Sequence, residues 1–326
     1  MKKILLIIIS LLILLGCSSN SNNKNLKEIT LVLDWVPNTN HTGLFVAMEK
    51  EYDIKHGIKL NVIRPPEGST TEIVALNKEY LGISFQDSLA YKFLKNIDIS
   101  VVATIINHNT SGIISLKDKN IVKMSDLENK SYGTWDDEIE KAMIKFLMEK
   151  EGAKFTNLKL VPNLGDNSLT GLINNQFDSA WIYYGWDGIM ADHLKYDHNF
   201  IMLKDVDSRL DFYSPVIIAN NHLVNNEKEL LKKVMSAIKE GYVYTMNNPK
   251  EAADILIKHA PELKDSKEFV YLSQQYLSSQ YASSPQLWGK IDQNRWQNFY
   301  NWLFEQKIID KRLDNKPLFT NEFLEE

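Results

Sequence analysis

Ile29-Thr30-Leu31-Val32-Leu33-Asp34-Trp35-Val36-Pro37-Asn38-Thr39-Asn40-His41-Thr42-Gly43-Leu44 holds the key to the chain. Ile29, Leu31 and Leu33 alternate with Thr30, Val32 and Asp34, the two-residue period of a strand that ends at Asp34-Trp35. From about Thr42, Leu44, Phe45, Met48 and Tyr52 recur at helical spacing and stop before Gly57. A strand, a turn rich in hydrogen-bonding side chains and a helix form the repeating unit of a layered α/β protein.

The unit repeats outward from there. Strands are predicted at 58–63, 81–85 and 99–106, with helices opening at the Ser69-Thr70-Thr71-Glu72 capping-box spacing and at Asp87 or Ser88. Such a β-α-β-α-β run predicts a parallel sheet with right-handed crossovers. After Ser111 the rhythm restarts, with strands at 131–133, 158–161, 178–184 and 200–203. Helices are expected at 136–151, 167–174 and 186–194, and a long strand over 211–219 returns the chain to the first sheet. The remainder is helical. Trp296, Phe299, Tyr300, Leu303 and Phe304 form one apolar stripe, read as packed core, and Trp181 inside its strand is read the same way. Residues 27–110 with 214–326 are therefore expected to form one discontinuous lobe with C-terminal helices, and residues 111–213 a second. The crossovers lie near Asn109–Ser111 and Phe212–Pro215.

The chain start is of another kind. Lys2-Lys3, an apolar run from Ile4 to Leu15, Gly16 and Cys17 have the layout of a secretory signal followed by an acceptor thiol. About a dozen apolar residues are too few to span a bilayer, which takes about 20. Cys17 is the only cysteine, so it is read as a lipidation point and not as half of a disulfide. Residues 1–16 are then the signal peptide and 17–26 a polar, lipidated tether. The protein is expected outside the cytoplasm, held to the membrane by lipid. Net charge is −5 with both signs interspersed, which argues against a nucleic-acid partner.

In open α/β sheets the ligand lies beyond the carboxyl ends of the strands. The turns there share aromatics (Trp35, Trp135, Tyr183, Tyr184, Trp186, Tyr213), carboxylates (Asp34, Asp87, Asp136, Asp187) and small polar residues (Asn38, Asn40, Asn109, Thr110, Ser111). Aromatic faces plus acceptor-only carboxylates suit a flat guest bearing amino groups or protonated ring nitrogens. The chain has four arginines, and only Arg64 lies near one of these turns. Anions are disfavoured on that ground, although helix N-termini can supply N–H donors, so a sulfonate stays open, as does riboflavin. No histidine pair has metal-ligand spacing, and neither a Walker loop nor G-x-S-x-G occurs, so no metal, cofactor or catalytic residue is expected.

Leu33 through Leu44 closely resembles the formylaminopyrimidine-binding proteins of ABC importers, members of the NMT1/THI5-like family that also contains the fungal thiamin-pyrimidine synthases. Pro65-Pro66-Glu67, Ile83-Ser84-Phe85-Gln86, His108-Asn109-Thr110-Ser111-Gly112, Tyr184-Gly185-Trp186-Asp187-Gly188 and Phe319-Thr320-Asn321-Glu322-Phe323-Leu324 look like further family segments. The resemblance runs from about Ile29 to the C-terminus. It implies a type II periplasmic-binding-protein fold and a monomeric binder that serves a permease and an ATPase in thiamin salvage. A synthase would need a lysine, a histidine and a cysteine-rich iron motif. Gly82-Ile83-Ser84-Phe85-Gln86-Asp87-Ser88 contains neither lysine nor histidine, so an enzyme is the weaker alternative. Relatives carry a glutamate where this chain has Met190, which leaves the guest's identity open. Turns and resembling segments together give the candidate ligand-binding set: Asp34, Trp35, Asn38, His41, Glu67, Gln86, Asn109, Thr110, Trp135, Tyr184, Trp186, Asp187 and Tyr213. The guest is expected to stack between Trp35 and either Tyr184 or Trp186, oriented by Asp34, Asn38 and Asp187.

Overall fold

The computed structural model describes residues 26–66, 69–163, 167–314 and 318–324. The expected signal peptide, Cys17, the expected tether up to residue 25 and the candidate Glu67 lie outside the described residues. Strand β1 (Lys27–Val32) leads through helices α1 (Thr42–Glu49) and α2 (Tyr52–Lys55) to β2 (Ile58–Ile63). Helix α3 (Thr70–Leu76), β3 (Tyr80–Ser84), α4 (Leu89–Leu94) and β4 (Ile99–Thr104) complete the first run. The second run is β5 (Ser111–Leu116), β6 (Ser131–Thr134), α5 (Glu138–Lys150), β7 (Lys159–Pro162), α6 (Ser168–Ile173) and β8 (Ser179–Tyr183). One π-helical turn (Tyr184–Gly188), α7 (Ile189–His193), β9 (His198–Met202) and α8 (Leu203–Val206) follow. Strand β10 (Val216–Asn220) precedes five helices, α9 (Asn221–Asn226), α10 (Lys228–Asn247), α11 (Pro249–His259), α12 (Lys267–Ser278) and α13 (Gln293–Glu305).

Two five-stranded sheets result, ordered β2-β1-β3-β10-β4 and β7-β6-β8-β5-β9; each sheet with its flanking helices is called a lobe here. The two orders are the same pattern. In each, the strand arriving from the other lobe (β10 or β5) inserts antiparallel between its neighbours, while β1, β2, β3 and β6, β7, β8 pair in parallel. The expected all-parallel first sheet is corrected accordingly: β4 pairs with β10 and not with β3. The long strand expected over 211–219 is only Val216–Asn220, because residues 211–215 form the connector between lobes. Leu31, Val32 and Leu33 are all buried. The alternation read from β1 thus describes a strand covered on both faces, as parallel sheets are.

The C-terminal helices supply the first lobe's outer layer. Leu231, Val234, Met235, Ile238 and Tyr242 of α10 pack on Leu44, Val46 and the β1 face. Helix α13 joins a second core that runs from Val101 and Ile218 to Ile113, Tyr132 and Trp181, so its aromatic stripe is core, and Trp181 with it. Phe146 of α5 meets Trp302 edge-on at 5.4 Å, which ties the second lobe to this helix. Among the described residues no helix is long and apolar enough to cross a membrane.

Candidate ligand-binding site

A cavity of about 440 Å³ opens between the sheets at the carboxyl ends of β1, β3, β4, β6 and β8. These ends deliver Asp34 and Trp35, Phe85, Ile106, Trp135 and Tyr183 to its wall. Because β5 and β10 run antiparallel, their entry points lie at the same end, which brings in Thr110, Ser214 and Pro215. Asn38, Thr39 and Asn40, the π-turn residues Gly185, Trp186 and Asp187, and Asn163, Ser168 and Leu277 complete the lining. None of these side chains is a lysine, arginine or histidine.

The Asp34–His41 turn is held from several sides. His41, fully buried, accepts the Asn38 backbone N–H at Nδ1, 3.3 Å. That fixes the tautomer with the proton on Nε2, which donates to Asp34 Oδ1 at 2.7 Å. Asp34 is therefore aimed by a neighbour that never reaches the cavity. The Asn38 amide is spent within the turn, accepting from Asn40 N and donating to Val36 O. Tyr242 donates to Asn40 O and Tyr281 to Thr39 O. This approach needs glycine at 43: a Cβ there would lie 2.3 Å from the Tyr242 ring.

In the second lobe, buried Glu140 accepts from Tyr132 Oη (2.8 Å), Thr134 Oγ1 (2.9 Å) and the Trp135 N–H (3.1 Å). Burial nevertheless pushes its carboxyl above the ordinary value. The network sets the turn that presents Trp135, 42% exposed at the cavity rim. Asp137, not Asp136, caps α5, bonding Ile139 N and Glu140 N. Asp136 instead adopts φ 64° and pairs with Lys141 on the surface.

Of the candidate set, Asp34, Trp35, Asn38, Thr110, Trp135, Trp186 and Asp187 meet at the cavity. Five do not. His41 stands behind Asp34. Gln86 points inward, accepting Tyr213 N and donating to the Trp296 carbonyl, and its neighbour Phe85 takes the cavity side. Tyr184 turns away to Phe200 and Tyr276, with its hydroxyl on Asp192; Tyr183 lines the wall in its place. Phe85 and Tyr183 face one another across the lobes, ring centroids 6.1 Å apart and 22° from parallel. Asn109 and Tyr213 belong to the crossovers. Asn109 bonds the Leu210 carbonyl and Asp211, and the Arg295 guanidinium lies 3.9 Å above the Tyr213 ring. Met190 packs against the cores of both lobes and does not line the cavity.

Asp187 sits on the π-turn, a helix variant frequent at functional sites. Among the described residues no side chain pairs with it, and burial raises its carboxyl to about 7. Trp186 meets Phe269 of α12 edge-on at 4.7 Å. Ser273 of the same helix donates to the Gly185 carbonyl and bonds the Thr39 hydroxyl, so α12 closes one flank of the cleft.

Two sheets of matched strand order, joined by paired crossovers around one cleft, define the type II fold of the periplasmic solute-binding proteins. Residues 38–252 match the NMT1/THI5-like family, and the chain belongs to it. The formylaminopyrimidine-binding protein of Halalkalibacterium halodurans is 21% identical, with 94% of this chain and 96% of that protein covered. A 4-amino-5-hydroxymethyl-2-methylpyrimidine phosphate synthase of Legionella pneumophila is 24% identical, with 91% and 92% covered. Among solved structures, the aliphatic sulphonate-binding protein of Escherichia coli superposes with a TM-score of 0.69 at 12% identity, covering 90% of this chain and 91% of that one.

Proposed function

We propose that this protein is the extracytoplasmic binding component of an ABC importer. It captures a thiamin-related aminopyrimidine of the formylaminopyrimidine kind between its lobes and presents it to a permease, while lipid on Cys17 holds it at the membrane. The observation that carries this reading is the cavity's chemistry: aromatic faces from both lobes, two aspartates and no cationic side chain. Stacked rings favour a flat guest by about 0.5–1.5 kcal/mol per aromatic contact beyond burial, and carboxyl oxygens favour N–H donors. A sulfonate finds no guanidinium or ammonium here. The similarity to a formylaminopyrimidine-binding protein supports the same guest. Synthase activity is disfavoured, since Gly82–Ser88 offers neither a lysine nor a histidine to hold and supply the reacting groups. Calorimetry of the signal-less protein tests the reading. Tight binding of formylaminopyrimidine without turnover is expected; heat with a sulfonate or riboflavin alone, or product formation by mass, overturns it.

A further inference from the structure

We propose that Asp187 meets its guest as a neutral carboxylic acid, donating to an unprotonated ring nitrogen while accepting from the adjacent amino group. The inference rests on the aminopyrimidine reading and deepens it. A –N=C–NH2 edge has one acceptor beside one donor, the complement of a –COOH group and a poor match for a carboxylate, which only accepts.

The Asp187 carboxyl accepts from its own backbone N–H, and no cationic side chain among the described residues faces it. On β8 the nearby titratable group is Tyr183, itself half-buried and facing the cavity. On α7, Asp192 takes the Tyr184 hydroxyl and the His193 ring lies against Phe269. On α12, Tyr276 packs on Tyr184, Lys267 pairs with Asp254, and Glu268 and Tyr271 carry no positive charge. Strand β5 carries no ionisable side chain. Across the cavity the other carboxyl, Asp34, already has a donor in His41. Asp87, close to Tyr183, is a further half-buried acid. The two cavity carboxyls are thus prepared for different tasks: Asp34 is held by a donor side chain and aimed as an acceptor, whereas Asp187 is half-buried and has no side-chain partner among the described residues. A desolvated carboxyl without a cation keeps its proton into the neutral range, consistent with the raised value near 7.

Calorimetry with formylaminopyrimidine, run on wild type, Asp187→Asn and Asp187→Ala at about pH 6 and about pH 8.5, tests this. Asparagine copies the neutral acid, with one donor and one acceptor, and cannot copy the anion. Wild type is expected to lose about 30-fold in affinity between the two pH values, since the higher pH lies about 1.5 units above the value near 7 and each unit costs tenfold. Asp187→Asn is expected to lose none, and so to bind about 30-fold tighter than wild type at the higher pH, while Asp187→Ala is weak at both. A protonated ring on ionised Asp187 carries the same proton count, but that arrangement is destroyed by asparagine. An Asp187→Asn protein as weak as Asp187→Ala, or wild-type affinity independent of pH, overturns the proposal and leaves the pyrimidine reading intact. If wild type binds no aminopyrimidine, both readings fail. Should Asp187→Asn unfold early, proton uptake by wild type decides, read from heats in two buffers of different ionisation enthalpy; zero uptake at the higher pH overturns the proposal.

Discussion

Replacing His41 by leucine tests whether the cavity carboxyl is aimed from behind. The imidazole is fully buried and makes two hydrogen bonds, one to Asp34 Oδ1 at 2.7 Å and one from Asn38 N at 3.3 Å. Leucine roughly keeps the volume and removes both. A hydrogen bond to a charged group contributes about 1.5–3 kcal/mol, and an orphaned buried N–H costs about 1–3 kcal/mol. The second bond is long, and Asp34 stays open to water in the cavity, so the lower halves of both ranges apply. We expect a stability loss of about 2–4 kcal/mol in urea unfolding. Freed from its donor, Asp34 rotates among several positions. Formylaminopyrimidine affinity should fall about 5- to 30-fold, or about 1–2 kcal/mol. The assay is a double-mutant cycle of His41→Leu, Asp34→Ala and the pair, read by calorimetry. If His41 acts through Asp34, its effect on affinity disappears in the Asp34→Ala background. Strictly additive losses, or an unaltered affinity in His41→Leu, refute the reasoning.

Trp35→Ala should weaken pyrimidine binding by at least about 1 kcal/mol, the scale of one lost stacking face; equal titration curves would remove Trp35 from the site. Gly43→Ala places a methyl 2.3 Å from the Tyr242 ring and should cost at least about 1–3 kcal/mol in thermal unfolding, as overpacking does. A melt matching wild type would mean that α1 and α10 can separate freely. Asp187 also predicts a pH dependence of stability without ligand. Its folded value near 7 lies above the ordinary value of about 3.9, so between about pH 4 and 7 the folded state holds the extra proton. This group's contribution to stability therefore falls as pH rises through that window and levels off above it. Urea midpoints across a pH series should show a shallower decline in Asp187→Asn, and an identical decline in both proteins would count against the assignment.

Much of the fold was legible because its signals are local. Strand alternation, the helical spacing from Thr42 and the Ser69–Glu72 spacing at the start of α3 each act within a few residues. The insertion of β10 between β3 and β4 was not, since a strand's partner is chosen by contacts far along the chain. The misplaced site residues have one cause. Side chains on a strand alternate faces, so a slip of one residue at its end exchanges wall for core. Phe85 and Gln86 show this at β3, and Tyr183 and Tyr184 at β8. The sequence narrowed each pair to a turn, but only the packing of Trp296 beneath Gln86 and of Phe200 beside Tyr184 decides which member faces inward. Glu140 escaped notice for a related reason. Its three donors converge only once β6 and α5 are folded together, whereas its sequence neighbours read as an ordinary charged helix.

The same folding links the two acids that line the cavity. Ser273 donates to the carbonyl of Gly185, two residues before Asp187. Its oxygen must then accept from Thr39, on the turn that His41 ties to Asp34. The Ser273 hydroxyl of α12 and the Thr39 hydroxyl thus link the lobes and end at the turns that carry the two aspartates. Movement of one lobe away from the other stretches this chain before it disturbs either aspartate's own support. On the proposed reading, a guest held by Asp34 on one edge and Asp187 on another would stabilise the arrangement that Ser273 already bridges. That is the differential affinity a closing ligand needs.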